Sequence, residues 1–133
     1  MYTGQARVSE VIETHMSTGW AHTPVAYQNV QFDDEVPEFV KLHILWTGSR
    51  QASMGGERNK HRFFGMAIVQ IYVPVNSGTR HADQLAANAV ELFITKQFQG
   101  ITFLTPDPVT IGDDGHGKYQ VNVNCPFYYD DLV

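Results

Sequence analysis

The feature that most constrains the fold is a pair of strand-like runs separated by a long polar segment. The runs Glu38–Trp46 and Phe63–Val73 are rich in β-branched and aromatic residues, whereas Thr47–Arg62 between them has no apolar period. Two such runs predict a long β-hairpin with an unusually long loop, because ordinary hairpin loops contain about 2–5 residues. Long loops in compact domains are usually functional or disordered, so this loop is either an interaction site or a surface segment without a role.

The predicted loop is basic, whereas the rest of the chain is acidic. It holds four of the nine lysines and arginines, at Arg50, Arg58, Lys60 and Arg62. Acidic residues cluster elsewhere, around Asp33, Asp113 and Asp130, and the formal net charge is −5. This charge argues against nucleic-acid binding through the whole surface. Segregated charge suits self-assembly, with the loop of one subunit meeting the acids of the next, and solvated surface charge is the alternative.

The two hairpin strands differ in their patterns. In the first strand, alternation places Val40, Leu42, Ile44 and Trp46 on one face and leaves the other face mixed. The second strand is apolar on both faces, which is typical of a central strand that is covered on both sides. Neighbouring subunits could supply that cover.

The remaining elements complete an α+β fold in a single domain spanning residues 1–133: a mainly antiparallel β-sheet with a long hairpin, and two α-helices packed on the sheet. A helical stripe predicts the first helix from about Thr3 to His15. The second helix runs from Thr79 or Arg80 to Gln97, and Gly100 ends it. Three strand candidates follow, at residues 101–104, 108–112 and 118–128.

Between the first helix and the hairpin, residues 20–32 are predicted to form an extended arm on the body of the protein. Its expected anchors are Trp20, Tyr27 and Phe32. A short edge strand is the alternative, because proline is tolerated near the end of such a strand and Pro24 lies in this segment.

No catalytic motif is visible in the sequence. The six histidines lack the spacing of a local zinc site, and no glycine-rich phosphate loop links a strand to a helix. The single cysteine, Cys125, lies in a predicted core strand and is expected to be a small, buried hydrophobic residue. We therefore expect no catalytic residue, cofactor or metal. No apolar run approaches the roughly 18–20 residues that span a bilayer, so no membrane partner is expected. The first residues lack a signal-peptide pattern.

Taken in order, these features resemble the tail terminator-like proteins of long-tailed phages. The resemblance covers nearly the whole chain and depends on five segments. These are the arm Thr23–Val30, the strand Phe39–Leu45, the polar Ser53-Met54-Gly55-Gly56 loop, the strand Phe63–Pro74, and the final Cys125-Pro126-Phe127-Tyr128-Tyr129. Gly78-Thr79-Arg80 opens an alanine-rich helix between the last two. The match concerns the order of the structural elements and these few short segments, and it includes no catalytic motif.

The resemblance implies a non-enzymatic structural protein of the virion neck, assembled in the host cytoplasm. Such subunits form a ring, usually of six copies, on the head-proximal end of the tail tube. The ring stops tube polymerisation and provides the head-joining surface, so the implied partners are further copies, the tail tube protein and a head-completion protein. DNA is met only as it passes through the lumen. The residues expected at the subunit or tube interface are Arg50, Met54, Arg58, Lys60 and Arg62.

Two other functions are compatible with the sequence. The first is a head–tail connector or tail-tube-like subunit, which would share the architecture but differ in how it assembles. The second is a small cytoplasmic ligand-binding or enzyme domain, which would present a pocket with convergent polar groups.

Overall fold

A computed structural model describes residues 4–33 and 35–133 of the chain. Within these residues, two helices, α1 (Gly4–Gly19) and α2 (Arg80–Phe93), accompany seven strands. The strands are β1 (Val25–Tyr27), β2 (Phe39–Gln51), β3 (Lys60–Pro74), β4 (Gln97–Phe98), β5 (Ile101–Phe103), β6 (Asp107–Asp113) and β7 (Lys118–Leu132). The α+β prediction is confirmed, since all strand pairs are antiparallel except the parallel pair of β1 and β2.

All seven strands form one sheet in the order β1-β2-β3-β7-β5-β4, and β6 pairs with a second stretch of β7. The strand β3 is central and pairs along its length with β7, from Lys60 opposite Leu132 to Pro74 opposite Lys118. On its other side, β3 pairs with β2 from Tyr72 opposite Phe39 to His61 opposite Gln51. The hairpin is therefore the middle of the sheet.

Both helices pack on one face of this sheet and enclose the core. The helices contribute an apolar stripe each, which includes Val8, Ile12 and Met16 from α1 and Leu85 and Phe93 from α2. From the sheet come alternate residues of β2, β3 and β7, listed in order as Val40, Leu42, Ile44, Ala67, Val69, Ile71, Val73, Val121, Val123, Cys125, Phe127 and Tyr129. The period-two patterns predicted these faces, because a strand's successive side chains point to opposite sides.

The opposite face of the sheet carries no helix in the described part of the chain, and we call it the open face. It consists of the residues of β2, β3 and β7 that alternate with the core residues: Lys41, His43, Leu45, Phe64, Met66, Ile68, Gln70, Tyr72, Gln120, Asn122, Asn124, Pro126 and Tyr128. Leu45 is 46% exposed, and the apolar residues of β3 on this face are half-buried. Within the described residues, the second apolar face of β3 is therefore not covered by a helix.

The predicted loop Thr47–Arg62 is wrong in its extent. After a β-bulge between Trp46 and Gly48, β2 continues to Gln51, and β3 begins at Lys60, so the loop is residues 52–59. The strands continue because polar residues in this segment pair with each other across the β-ladder. Polar residues leave no apolar alternation in the sequence, so this continuation was not predicted. We call residues 47–62 the hairpin end.

Three other boundaries differ from the sequence prediction. Helix α2 ends at Phe93, and Gly100 lies instead in the turn between β4 and β5, where Gln99 and Gly100 both have positive φ. Helix α1 continues past His15 to Gly19, and its predicted start at Thr3 lies outside the described residues. The strand β7 extends past Tyr128 to Leu132 because Lys60–Phe63 of β3 provides a partner. The arm contains the short edge strand β1.

Gly65 is the tightest point in the sheet. A methyl group at this position would lie 2.5 Å from Cζ and 3.0 Å from both Cε atoms of Phe127, whose ring covers the glycine from the facing strand. Phe127 is itself buried against the core, so its ring has little room to move. Glycine is required here by space.

We predict that Gly65→Ala lowers the free energy of unfolding by about 1–3 kcal/mol, the usual cost of overpacking a core. The matched control is Gly19→Ala, whose new methyl group would meet only the Cδ1 end of the Leu92 side chain. That end can rotate away, so the change should stay within about 0.5 kcal/mol. Urea unfolding measures both variants. Equal stability of the two variants would contradict the close approach of Phe127.

Candidate interaction surface

An ion-pair cluster at the base of the hairpin end joins β3 to β7. Arg62 lies opposite Asp130 in the ladder and donates from Nε to Oδ1 at 2.8 Å and from Nη2 to Oδ2 at 3.1 Å. The Nζ atom of Lys60 lies 3.5 Å from the same carboxylate. The guanidinium of Arg62 also lies over the ring of Tyr128, at 4.3 Å from the centroid. A two-point arginine–carboxylate pair fixes geometry as well as charge.

The cluster changes the ionisation of its members. The hydrogen bonds from Arg62 hold the pKa of the Asp130 carboxyl below its ordinary value, with Lys60 adding to the effect. The same pair raises the pKa of Arg62. Asp130 is therefore a carboxylate at neutral pH, and it neutralises part of the charge that the sequence assigned to the hairpin.

The four predicted basic residues consequently fall into two classes. Lys60 and Arg62 are partnered by Asp130 of the same chain. Within residues 4–33 and 35–133, Arg50 and Arg58 form no ion pair: Arg50 lies 5.8 Å from the ring centroid of Phe64, and Arg58 donates to the carbonyl of Leu132 at 3.4 Å. Both are exposed, so their charge is available to a partner.

The fifth predicted interface residue, Met54, lies at the tip of the hairpin end and is 89% exposed. The loop around it is shaped by polar contacts. The backbone N–H of Lys60 donates to Oγ of Ser53 at 2.6 Å, and the side chain of Asn59 donates to the carbonyl of Gly56 at 3.0 Å. A fully exposed methionine on an ordered tip is a flexible apolar group that suits a contact surface.

The predicted arm anchors lie on both sides of the sheet. Trp20 is buried in the core and donates from Nε1 to Oγ1 of Thr23 at 3.0 Å, and Tyr27 packs at the edge of the same core. Phe32 instead packs on Phe39, with ring centroids 5.3 Å apart. Phe39 belongs to the other side of the sheet, where it stacks on Tyr72. The arm thus passes around the β2 edge, and Phe39 is only 3% exposed beneath it.

Two features of the candidate surface were not predicted from the sequence. Asp130 was identified only as part of an acidic tail, although this residue determines which hairpin cations stay free. Nor were the outward residues of β2, β3 and β7 combined into one open face. The signal for that face was present in the two-sided apolar pattern of β3, but the neighbouring strands could not be placed beside it from the sequence.

No reactive centre emerges from the rest of the described chain. Among these residues, no three His, Cys, Asp or Glu side chains are close enough to share a metal ion. Burial raises the pKa of the Cys125 thiol to about 12, which keeps it protonated. Asp114 accepts hydrogen bonds from the backbone N–H groups of His116 and Lys118, which lower its pKa and hold a turn. No helix in the described part is long and apolar enough to cross a membrane.

The surface has two shallow grooves near the start of β2. One, of about 310 Å³, lies between the arm and β2 and includes Tyr27, Phe32 and His43. Another, of about 490 Å³, is lined by Phe39, Lys41, Tyr72, Asp114 and Lys118. In the second groove, Lys118 is already held by the carbonyls of Val36 and Pro37 at 2.9 and 2.8 Å. These contacts explain the groove as part of the anchoring of the β2 start.

Comparisons with known proteins give one family and one fold. The family model described as phage tail terminator protein matches residues 7–127. One solved structure, which carries only a sequence identifier as its name, shares the fold with a TM-score of 0.70 at 18% sequence identity. The alignment covers 96% of each chain. A comparison with curated proteins finds no match.

We predict that Asp130→Asn lowers the free energy of unfolding at pH 7 by about 1 kcal/mol, because it removes the charge that Arg62 and Lys60 share while leaving some hydrogen bonding. The folded-state pKa of Asp130 is lowered, so its contribution is complete above the unfolded pKa of about 3.9 and is lost as pH falls through the folded pKa. The difference from wild type should therefore shrink below about pH 4.

The matched control for this prediction is Asp131→Asn. Asp131 accepts a hydrogen bond from the backbone N–H of Leu132 and forms no ion pair within the described residues, and asparagine keeps the accepting oxygen. Thermal unfolding from pH 3 to pH 8 measures both variants. A difference for Asp130→Asn that does not depend on pH would contradict the ion-pair assignment.

Proposed function

Because the chain belongs to the phage tail terminator family, we propose that its subunits form a closed ring on the head-proximal end of the tail tube. There the ring stops tube polymerisation and provides the surface that joins the head. Family membership makes the chain a structural component of the virion tail, and the family match over residues 7–127 is the observation that carries the proposal. The matched segment includes the hairpin end and almost the whole sheet.

The distribution of charge supports a head-to-tail contact between subunits. The hairpin end holds four of the nine basic residues and only one of the fourteen acids, Glu57. Since a closed ring with rotational symmetry brings two different patches together at each contact, a basic projection on an otherwise acidic subunit is suited to it. Arg50 and Arg58 are the expected charge-bearing residues, because Asp130 already partners the other two.

The open face supports assembly by a second argument. Monomeric proteins rarely leave a contiguous apolar patch uncovered, and such patches commonly mark contact surfaces. Here Leu45, Met66 and Pro126 lie side by side across three strands, with Phe64 and Tyr128 in the next row. We propose that neighbouring subunits or the tube cover these rows, with six copies in the ring and the DNA passing through its lumen. The head-completion protein then meets the ring face opposite the tube.

The distinction between a terminator and a tube-like subunit is one of closure. A terminator ring stops at a fixed copy number, whereas a tube subunit or a stacking connector continues to polymerise. Native mass spectrometry across a protein concentration series therefore tests the proposal. A discrete species near six copies, alone or on added tail tubes, is expected. Open-ended polymerisation of the protein would contradict the terminator function and indicate a tube-like subunit.

We predict that the double variant Arg50→Ser/Arg58→Ser weakens ring formation at least tenfold and fails to stop tube growth, because it removes the two unpaired cations of the hairpin end. The ring midpoint concentration and the length distribution of tail tubes in electron micrographs measure these effects. Added salt should weaken the wild-type ring in the same direction, since exposed charges are screened.

The matched control for the arginine pair is Arg80→Ser/Lys96→Ser. Both residues are exposed and lie outside the hairpin end, so the control changes the net charge equally. It should assemble and cap tubes like wild type. Should replacement of Arg50, Arg58, Lys60 and Arg62 together by serine leave both ring formation and capping intact, the hairpin end is not the contact.

A further inference from the structure

At the hairpin end, no strand of the described residues pairs with the outer edge of β2. The strand β1 covers β2 only from Val40 to Leu42. Just beyond, Oε1 of Gln28 accepts a hydrogen bond from the backbone N–H of Ile44 at 3.2 Å and so closes the next position. From Trp46 to Gln51, β3 is the only strand beside β2 among the described residues.

The hydrogen-bond pattern shows which backbone groups face outward there. The N–H of Val40 donates to the carbonyl of Pro24, so the even-numbered residues before the bulge, up to Trp46, point away from β3. After the bulge the N–H of Ala52 donates to the carbonyl of Lys60, so Gly48 and Arg50 point towards β3 instead. Alternation along an antiparallel ladder then turns the N–H and C=O groups of Ser49 and Gln51 outward, like those of Trp46.

The outer edge of β6, on the opposite side of the sheet, has features that hinder strand addition, and the β2 edge lacks them beyond its bulge. The N–H of Leu104 donates to the carbonyl of Pro126, so the even-numbered residues of β7 turn their backbone groups away from β3. In β6, Val109 therefore faces Asn122 of β7, and the backbone of Pro108 points outward. Proline offers no N–H, and a bulge between Thr110 and Gly112 interrupts the same edge. These are the usual devices that prevent strand addition. The β2 edge has no proline from Trp46 to Gln51, and its bulge comes before the outward groups of Ser49 and Gln51.

We propose that the β2 edge from Trp46 to Gln51 binds an extended segment of a second copy of this chain by strand addition. Main-chain hydrogen bonds to Ser49 and Gln51 would provide the affinity, and Arg50 between them would select an acidic neighbour. The inference rests on the proposed ring, because it names the contact through which two subunits meet. A second copy is the occupant that the charge favours, since thirteen of the fourteen acids of the chain lie outside the hairpin end.

The edge is presented by a rigid element. The hairpin end is held to β7 by the pair of Arg62 with Asp130, and the ladder continues to Asn59 and Val133, which exchange backbone hydrogen bonds at 3.2 and 3.1 Å. A strand that is already extended and supported on its other side loses little conformational entropy when a further strand joins it. The edge is thus preorganised for addition.

Amide hydrogen exchange tests the proposal residue by residue. In the dissociated subunit, the amides of Ser49 and Gln51 should exchange rapidly, whereas the amide of Arg50 should be protected by β3. In the ring, or in the ring on tail tubes, Ser49 and Gln51 should become protected at least tenfold while Arg50 changes little. Ring formation without this alternating gain would overturn strand addition and leave the terminator function standing.

A pair of variants at one residue supplies the second readout. Gln51→Pro removes the outward N–H and should abolish the ring, whereas Gln51→Ala keeps that N–H and should assemble like wild type. Circular dichroism and thermal unfolding establish that both fold. Equal assembly of the two folded variants would overturn the inference.

Two further outcomes distinguish failure of the strand-addition contact from failure of the proposed terminator function, on which this contact rests. The amides of Ser49 and Gln51 could become protected only on tail tubes, without cross-linking between copies of the chain. That result would show that the tube protein binds the β2 edge, and it would overturn the proposal of a second copy. Failure to form any closed species, alone or on tubes, would overturn the proposed function and this contact together.

Discussion

The structure depends on the uninterrupted pairing of β3 with β7 and β2. Each residue from Lys60 to Pro74 has a partner in β7, and most have a second partner in β2. The helices α1 and α2 bury their apolar stripes against this three-stranded unit, and the largely exposed hairpin end belongs to it as well. At its centre the Phe127 ring covers Gly65 so closely that a side chain has no room there. Both the core and the proposed contact surfaces are consequences of this unit.

The faces of the strands were predictable because burial imposes a period of two on the sequence. Val40, Leu42 and Ile44 lie on the core side as expected. Boundaries were less predictable where polar residues continue a ladder. The polar residues Ser49-Arg50-Gln51 show no strand pattern in the sequence, and only their pairing with β3 in the structure identifies them as part of β2. The end of α2 was missed for a related reason, since Gly100 signals a break in either a helix or a hairpin turn and the sequence does not distinguish the two.

The candidate surface was predictable in part. The concentration of cations in the hairpin is visible in the sequence, but their separation into paired and unpaired residues is not. It depends on Asp130, which lies 68 residues from Arg62 and reaches it only because β7 aligns with β3. The unpaired β2 edge depends on how far β1 extends, and a three-residue strand next to a proline leaves no strong pattern. Contacts between distant segments therefore decide which residues are available to a partner.

The order of the strands along the chain has a consequence for synthesis. The hairpin of β2 and β3 is complete once Pro74 has been made, but its principal partner begins at Lys118 and ends near Leu132. At about 5–20 residues per second, a ribosome leaves the inner edge of β3 without a partner for several seconds. During that time the nascent hairpin exposes two edges and two apolar faces, which is a typical origin of misassembly between neighbouring chains. Arg62 and Lys60 lie on that edge, and their positive charges lack their folded-state partner until Asp130 has been synthesised.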